Sequence, residues 1–324
     1  METTKLIFQK YFLNLAALRL CVEKNIYKIF AVLLTFICCG YSVYAKDAGT
    51  TSANFLKIGA GARSAALGGS FTAVNNDIYS LYWNPAGISE IKTIEITGMR
   101  NNWIADIDYN FIGGVIPLKN FKLGISGILL TMDDIDKTIE TIGGYQKIGT
   151  FSPKDYELVI SAGKKINDNL NLGLSLKYIK SELDNYDADA VAIDAGLIYK
   201  TKIENLQFGF AMKNLGTKMK FISKKESLPL NFQVGAEYAV IPENLKLFLD
   251  ADKYIDNEVK IHSGLEWNVN VLSLRIGYNS LSDIGNGLTA GLGLKYKQIK
   301  FDYAFEPQGD FGDSHRFSMT IAFK

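Results

Sequence analysis

Two histidines occur in the chain, His262 and His315, and the first stands beside a hydroxyl, Ser263. A serine with an imidazole base is the minimum for nucleophilic acyl transfer, and both side chains must converge on one reacting atom. The alternation of residues 258–268 puts them on a strand, where neighbours point to opposite faces. His262 then shares a face with Lys260, Gly264 and Glu266, and Ser263 lies on the other. His315 opens the final strand and reads as a rim residue, so no catalytic residue and no enzyme activity are expected. Asp133, Asp134 and Asp136, with Asp187 and Asp189, have the type and spacing of calcium ligands. The glycine and terminal glutamate of a calcium loop are missing, so they read as a solvated acidic rim with no metal. Gly59-x-Gly61 follows no strand, opens no βαβ unit and has no phosphate-loop lysine, which argues against a nucleotide or other cofactor. Arg63 is the sharpest candidate. An unpaired buried charge is expensive, so it is expected to pair with a carboxylate such as Asp77, with ligand binding as the alternative.

These residues must be positioned by two kinds of element. Phe55 to Gly87, FLKIGAGARSAALGGSFTAVNNDIYSLYWNPAG, is glycine-rich and keeps no strand period. Residues 77–82 can form one short helical turn set, and Asn84-Pro85-Ala86-Gly87 has the chemistry of a tight turn. From Lys92 onward the period is two, the signature of strands. Fourteen segments carry it: 92–102, 107–118, 120–132, 154–166, 169–182, 187–200, 204–215, 229–241, 244–253, 258–268, 270–280, 287–297, 298–306 and 314–323. Most are longer than the ~5–6 residues of soluble sheets and match the ~9–11 of a tilted membrane strand. Links alternate between tiny ones (Lys119, Pro242-Glu243, Val269) and longer ones (133–153, 216–228, 307–313). Transmembrane barrels show this asymmetry, with short periplasmic turns and longer outer loops. An even strand count is expected to leave both termini on the periplasmic side. Tyr156, Tyr178, Tyr199, Tyr238, Trp267, Tyr278 and Tyr296 are candidates for interfacial girdles. The soluble alternative, a β-sandwich or propeller, would bury the apolar face inward. Ahead of the barrel, residues 46–91 read as a hatch that fills the lumen.

Ile29 to Cys39 is an apolar core preceded by Lys24 and Lys28 and followed by Val43-Tyr44-Ala45. It is too short to span a bilayer, which takes roughly 20 apolar residues, and reads as a secretory signal over residues 1–45. The run before it suggests an over-extended start, with translation beginning near Val22. Cys21, Cys38 and Cys39 all precede residue 46, so a processed chain has no disulfide and no thiolate chemistry. Thirty-five basic residues against 34 acidic ones, a net charge of +1, give no basic surplus for nucleic acid. The expected division is a signal peptide (1–45), a hatch (46–91) and an all-β transmembrane barrel (92–324).

The wording of Phe55 to Gly87 resembles the N-terminal signature of the PorV/PorQ family of outer-membrane proteins, itself part of the barrel group similar to the FadL long-chain fatty-acid transporter. The matching residues are Phe55-Leu56, Ile58-Gly59, Gly61-Ala62-Arg63, Leu67-Gly68-Gly69, Phe71-x-Ala73, Asp77 and Leu81 to Gly87. Further pieces match at Leu228-Pro229-Leu230, Leu274 to Tyr278, Asp302 to Phe305 and Ser314 to Ser318. The resemblance implies a 14-stranded antiparallel barrel with an N-terminal luminal hatch, in the outer membrane of a Gram-negative-type bacterium. It identifies Asn84-Pro85-Ala86 with the hatch turn of FadL-like barrels. Hatch and ligand residues are therefore expected at Arg63, Gly68, Gly69, Asp77, Trp83, Asn84, Pro85, Ala86 and Gly87. Two functions follow as expectations: passage or binding of a hydrophobic small molecule through a hatch-gated lumen, or a role in type IX protein secretion without small-molecule flux. The expected partners are outer-membrane lipid, a hydrophobic small molecule and secretion-system proteins, with no nucleic acid. A closed, purely structural barrel is the blander third reading.

Overall fold

The computed structural model describes residues 49–104, 107–280 and 285–323. The expected signal segment, residues 1–45, lies outside them. In chain order the strands are β1 (Ile94–Asn102), β2 (Asp108–Pro117), β3 (Lys122–Thr131), β4 (Ile135–Thr141), β5 (Gly144–Phe151), β6 (Lys154–Lys165), β7 (Leu170–Leu183), β8 (Tyr186–Lys200) and β9 (Leu206–Gly216). They continue as β10 (Met219–Lys220), β11 (Lys225–Glu226), β12 (Asn231–Ile241), β13 (Leu245–Tyr254), β14 (Val259–Val269), β15 (Leu272–Asn279), β16 (Leu288–Tyr296), β17 (Ile299–Pro307) and β18 (Asp313–Phe323). Fourteen of them close into an antiparallel barrel in which β1 pairs with both β2 and β18. The expected strands match these fourteen to within a few residues.

Two pieces of strand were not expected. Residues 133–153 and 216–228, read as loops, contain the hairpins β4–β5 and β10–β11. The signal for the first was present. Ile135 and Ile139 share one face of a period-two run that ends at the two-residue loop Ile142-Gly143 between Thr141 and its partner Gly144, and Gly143 has a φ of +106°, which favours glycine at that place.

The wall is apolar outside, and its inner face mixes polar and small residues with large apolar ones such as Met99, Tyr109, Phe111, Ile128 and Phe248 that pack on the hatch. Ile125, Ile160, Leu176 and Ile193 are successive cross-strand partners over β3, β6, β7 and β8, and all are exposed on the outer face. Monomeric soluble proteins rarely expose contiguous apolar patches beyond a few hundred Å². This belt suits a bilayer. Tyr199, Trp267 and Tyr296 sit exposed at the short-turn ends of β8, β14 and β16, with Tyr178 and Tyr278 toward the long-loop ends of β7 and β15. They are placed as two aromatic girdles. No helix among the described residues is long and apolar enough to cross a membrane.

The segment before β1 occupies the interior. A methyl group added to Gly113, Gly124, Gly163, Gly209, Gly264 or Gly291 would meet Leu81, Leu81, Ile88, Thr72, Leu67 or Ala66. Those glycines lie on β2, β3, β6, β9, β14 and β16, so the segment is surrounded on all sides. It contains two short helices, α1 (Ala62–Ala66) and α2 (Ser80–Trp83), and 3-10 turns at Asn54–Lys57 and Pro85–Glu90. α2 falls on the expected helical turn set.

The first described residues of the hatch do not lie at the mouth expected for the chain's beginning. The chain ends at the short-turn mouth, as an even strand count requires. At the other end of the hatch, Ser52 N–H donates to Ser227 O at 3.0 Å and Thr51 bonds Asp256 at 2.7 Å. Residues 227–230 and 255–258 link strands at the long-loop mouth. Strand parity decides only where β1 begins; the preceding 40-odd residues are long enough to thread the whole lumen.

Candidate functional site

Arg63 is the centre of the hatch's attachment. α1 begins after Gly61 and packs against β15 to β18, which aims the Arg63 side chain across the lumen. Its Nη1 reaches Asp77 at 2.9 Å, the pairing expected from sequence. Its Nε and Nη2 form a fork onto the Glu266 carboxylate of β14 at 2.7 and 2.8 Å. Glu266 also accepts from Arg275 Nε at 2.6 Å, and Arg275 bonds Asp302 at 2.7 Å. Five alternating charges thus run from the hatch through three strands of wall. Each arginine is matched by carboxylates, which offsets the desolvation cost of holding them inside.

A second cradle holds the middle of the hatch by its backbone. Asp250 of β13 accepts from the amides of Phe71 and Thr72 at 2.8 and 2.7 Å. Gly68 N–H donates to Thr289 Oγ1 at 3.1 Å. His262 bonds the Gly68 carbonyl through Nδ1 at 2.6 Å and contacts Asp252 through Nε2. Gly68 has φ of +68° and its backbone lies directly on that of Tyr278, so any side chain there would be strained and would collide. Gly69 follows with φ of +89°, between His262 and Trp83. His262 faces the lumen and Ser263 the other side of β14, as their parity predicts.

The third attachment is the turn. Asn84 is fully buried in an extended conformation, and its Oδ1 accepts from Ala86 N–H at 3.1 Å, capping the 3-10 turn that Pro85 opens. Its Nδ2 donates to Thr72 O at 2.7 Å and Leu197 O at 3.1 Å. The turn seats on Gly173 and Gly196, which are cross-strand partners on β7 and β8. A side chain at either would overlap Pro85, Ala86 or Asn84. Gly87 packs against Ser80 and Val74 in the same way. At the short-turn mouth Glu90 meets Lys200 at 2.5 Å. Burial opposes the Glu90 charge, but the Lys200 ammonium outweighs it and holds the carboxyl below its ordinary range.

Trp83 closes the upper part of the hatch, donating to Ala60 O at 2.8 Å and standing edge-on to Tyr82. Beside this pair lies Lys213, which the sequence reading overlooked. Its buried ammonium sits 3.7 Å from the centre of the Tyr82 ring. Asn214, with φ of +63°, and Lys213 together oppose Asp194 at a bulge between β8 and β9. Lys177 pairs with Glu157 and Asp194 at 2.8 Å each, all three buried. Lys213 falls on the inward parity of its strand, and that was the available signal.

The expected residues thus converge on one buried segment, clamped to the wall at several levels. Comparison with known proteins places this arrangement. A family model described as type IX secretion system protein PorV matches residues 42–269, from ahead of the hatch through β14. The chain belongs to this family. No curated protein sequence matches it. Among solved structures, a CymD monoaromatic hydrocarbon channel is similar with a TM-score of 0.59 and 12% identity, covering 82% of this chain and 98% of the other. The Pseudomonas putida toluene transporter TodX gives 0.57 at 14% identity, covering 82% and 96%. The Ralstonia pickettii toluene transporter TbuX gives 0.56 at 12%, covering 82% and 97%. At such identities the likeness is one of fold. A PorV-family barrel with this apolar belt is a protein of the outer membrane.

Proposed function

We propose that this PorV-family barrel carries a hydrophobic small molecule across the outer membrane through a lumen gated by residues 49–91. The observation that carries this reading is the nature of the hatch's attachment. The hatch is held by separable polar clamps, namely Arg63 on Glu266, Asp250 on the Phe71 and Thr72 amides, and Glu90 on Lys200. Beneath them Leu67, Thr72, Leu81 and Ile88 lie on wall glycines, while Tyr79 packs on the Phe111 ring of β2 at 5.4 Å. A plug built this way can shift as a unit. The solved channels of the same fold, named for toluene and monoaromatic hydrocarbons, support a hydrophobic cargo. Arg63 and Asp77 act as the clamp, Gly68 and Gly69 as the close-approach point, and Trp83 with Asn84 to Gly87 as the seat. No role in catalysis is assigned to any of them. Uptake of a hydrophobic aromatic compound by cells lacking this gene tests the reading: uptake falls, and returns on complementation.

A second reading has its own observation. The β4–β5 hairpin stands outside the barrel at the long-loop mouth with Ile139, Ile142, Tyr145 and Ile148 exposed. An isolated two-stranded hairpin is marginal in water and has two unpaired edges. In a PorV-family protein this suits docking of exported proteins or their attachment complex. Retention of secreted proteins in the deletion strain, with normal uptake, would favour this reading over the first.

A further inference from the structure

The hatch does not begin where the barrel begins. Its first described residues lie at the long-loop mouth, and three contacts hold them there. Asp256, in the link between β13 and β14, accepts from Thr51 Oγ1 at 2.7 Å and from the Lys57 ammonium at 2.8 Å. The Ser52 hydroxyl donates to the carbonyls of Glu226, at the end of β11, and Ser227, and the Ser52 amide donates to Ser227 as well. Between these points Phe55 and Leu56 turn inward and are buried among Met219, Leu228 and Tyr82, and the Leu56 carbonyl accepts from the Tyr82 hydroxyl at 2.7 Å. Gly49 and Thr50, immediately before, are exposed. The segment therefore lies across the outer mouth as a strap, anchored on two loops, with its apolar middle inserted as a stopper.

We propose that residues 49–57 are the outer gate of this barrel: Gly49 and Thr50 face the cell exterior, and opening from outside begins with release of Thr51 and Lys57 from Asp256. The inference rests on the outward orientation of the long loops and not on the identity of what passes through the lumen. It also separates two movements. The strap can lift without disturbing the Arg63 clamp, because the contacts of the two are on different links and strands.

Sidedness tests the first half. Single cysteines at Thr50→Cys, Ser223→Cys in the exposed β10–β11 tip, and Asp168→Cys in the short β6–β7 turn are placed in a cysteine-free background. Intact cells are then treated with a maleimide on a polymer too large to pass porins. Thr50→Cys is expected to label like Ser223→Cys, and Asp168→Cys to label only after the outer membrane is opened. Labelling of Thr50→Cys only after permeabilisation, or under neither condition, overturns the proposal. The latch is tested on purified full-length protein with a small thiol reagent and a buried reporter, Leu56→Cys. Adding Asp256→Asn is expected to speed its modification about tenfold, with the barrel's heat-modifiable migration unchanged; an unchanged rate overturns the latch.

Discussion

Arg63 of the hatch and Glu266 of β14 meet fork to carboxylate, at 2.7 and 2.8 Å, across 203 residues of sequence. The pair joins the only arginine of the hatch to the charge ladder of the wall. Its second partner, Asp77, belongs to the hatch itself. The guanidinium therefore both folds the hatch and fastens it.

Arg63→Ala should loosen this fastening. Removing one partner of a buried ion pair costs about 3–5 kcal/mol, and here the loss falls on hatch seating more than on the wall, since Glu266 keeps Arg275. In planar bilayers the variant is expected to show frequent open-channel steps where the parent is mostly closed. Arg63→Lys, with one charge but no fork, should fall between them.

Gly196→Val tests the seat of the turn. The new side chain would overlap Asn84, whose bonds to Thr72, Leu197 and Ala86 hold the turn together. Overpacking of this kind costs about 1–3 kcal/mol. A lower unfolding midpoint is expected, together with protease cleavage between residues 70 and 90. Gly98→Val, where nothing lies within contact distance, should change neither.

Acid should lift the strap. Burial tends to raise the Asp256 carboxyl, but hydrogen bonds from Lys57 and Thr51 outweigh it and hold it below its ordinary range. A folded-state value below the unfolded one adds stability that is complete above the ordinary carboxylate pKa, near 4. That stability is lost as pH falls through the folded value. Modification of Leu56→Cys, read from pH 6 down to pH 3 as a ratio to that of the exposed Thr50→Cys because the reactive thiolate fraction itself falls with acid, should rise only at the acid end, and the Asp256→Asn background should flatten the profile.

How much of this was legible beforehand follows from what each feature depends on. The fourteen strands depend on residue types at period two, which a sequence displays directly. The pairing of Arg63 with Asp77 followed from the cost of an unpaired buried charge. Glu266 as the wall partner did not, because nothing local ties it to a residue some two hundred positions away. The direction of the hatch was also hidden, since strand parity says nothing about the chain before the first strand. The β4–β5 hairpin was legible in the glycine of its Ile142-Gly143 turn, although its place between two barrel strands reads as a loop.

Removing residues 135–151 separates the two functional readings at one site. The hairpin's strands pair only with each other, and Lys137 meets Asp184 of the β7–β8 turn in an exposed ion pair, so the barrel should still fold and migrate heat-modifiably. If the hairpin docks exported proteins, secretion falls while hydrophobic uptake stays at the parent level.

The gated lumen itself is tested most directly by locking it. A β-carbon on Gly235 would stand 3.0 Å from that of Thr72 and would overlap Asp250 Oδ1. Thr72→Cys with Gly235→Cys therefore ties the hatch to β12 once the Asp250 carboxylate swings aside and the two backbones part by a few tenths of an ångström, in a chain whose other cysteines all precede residue 46. Gly235→Cys alone is the control for the displaced Asp250. The measurement is uptake of a labelled monoaromatic hydrocarbon into proteoliposomes, oxidised and then reduced. The account predicts uptake near background in the oxidised form and recovery to the parent rate on reduction. Parent-level uptake through the oxidised, locked barrel would contradict it.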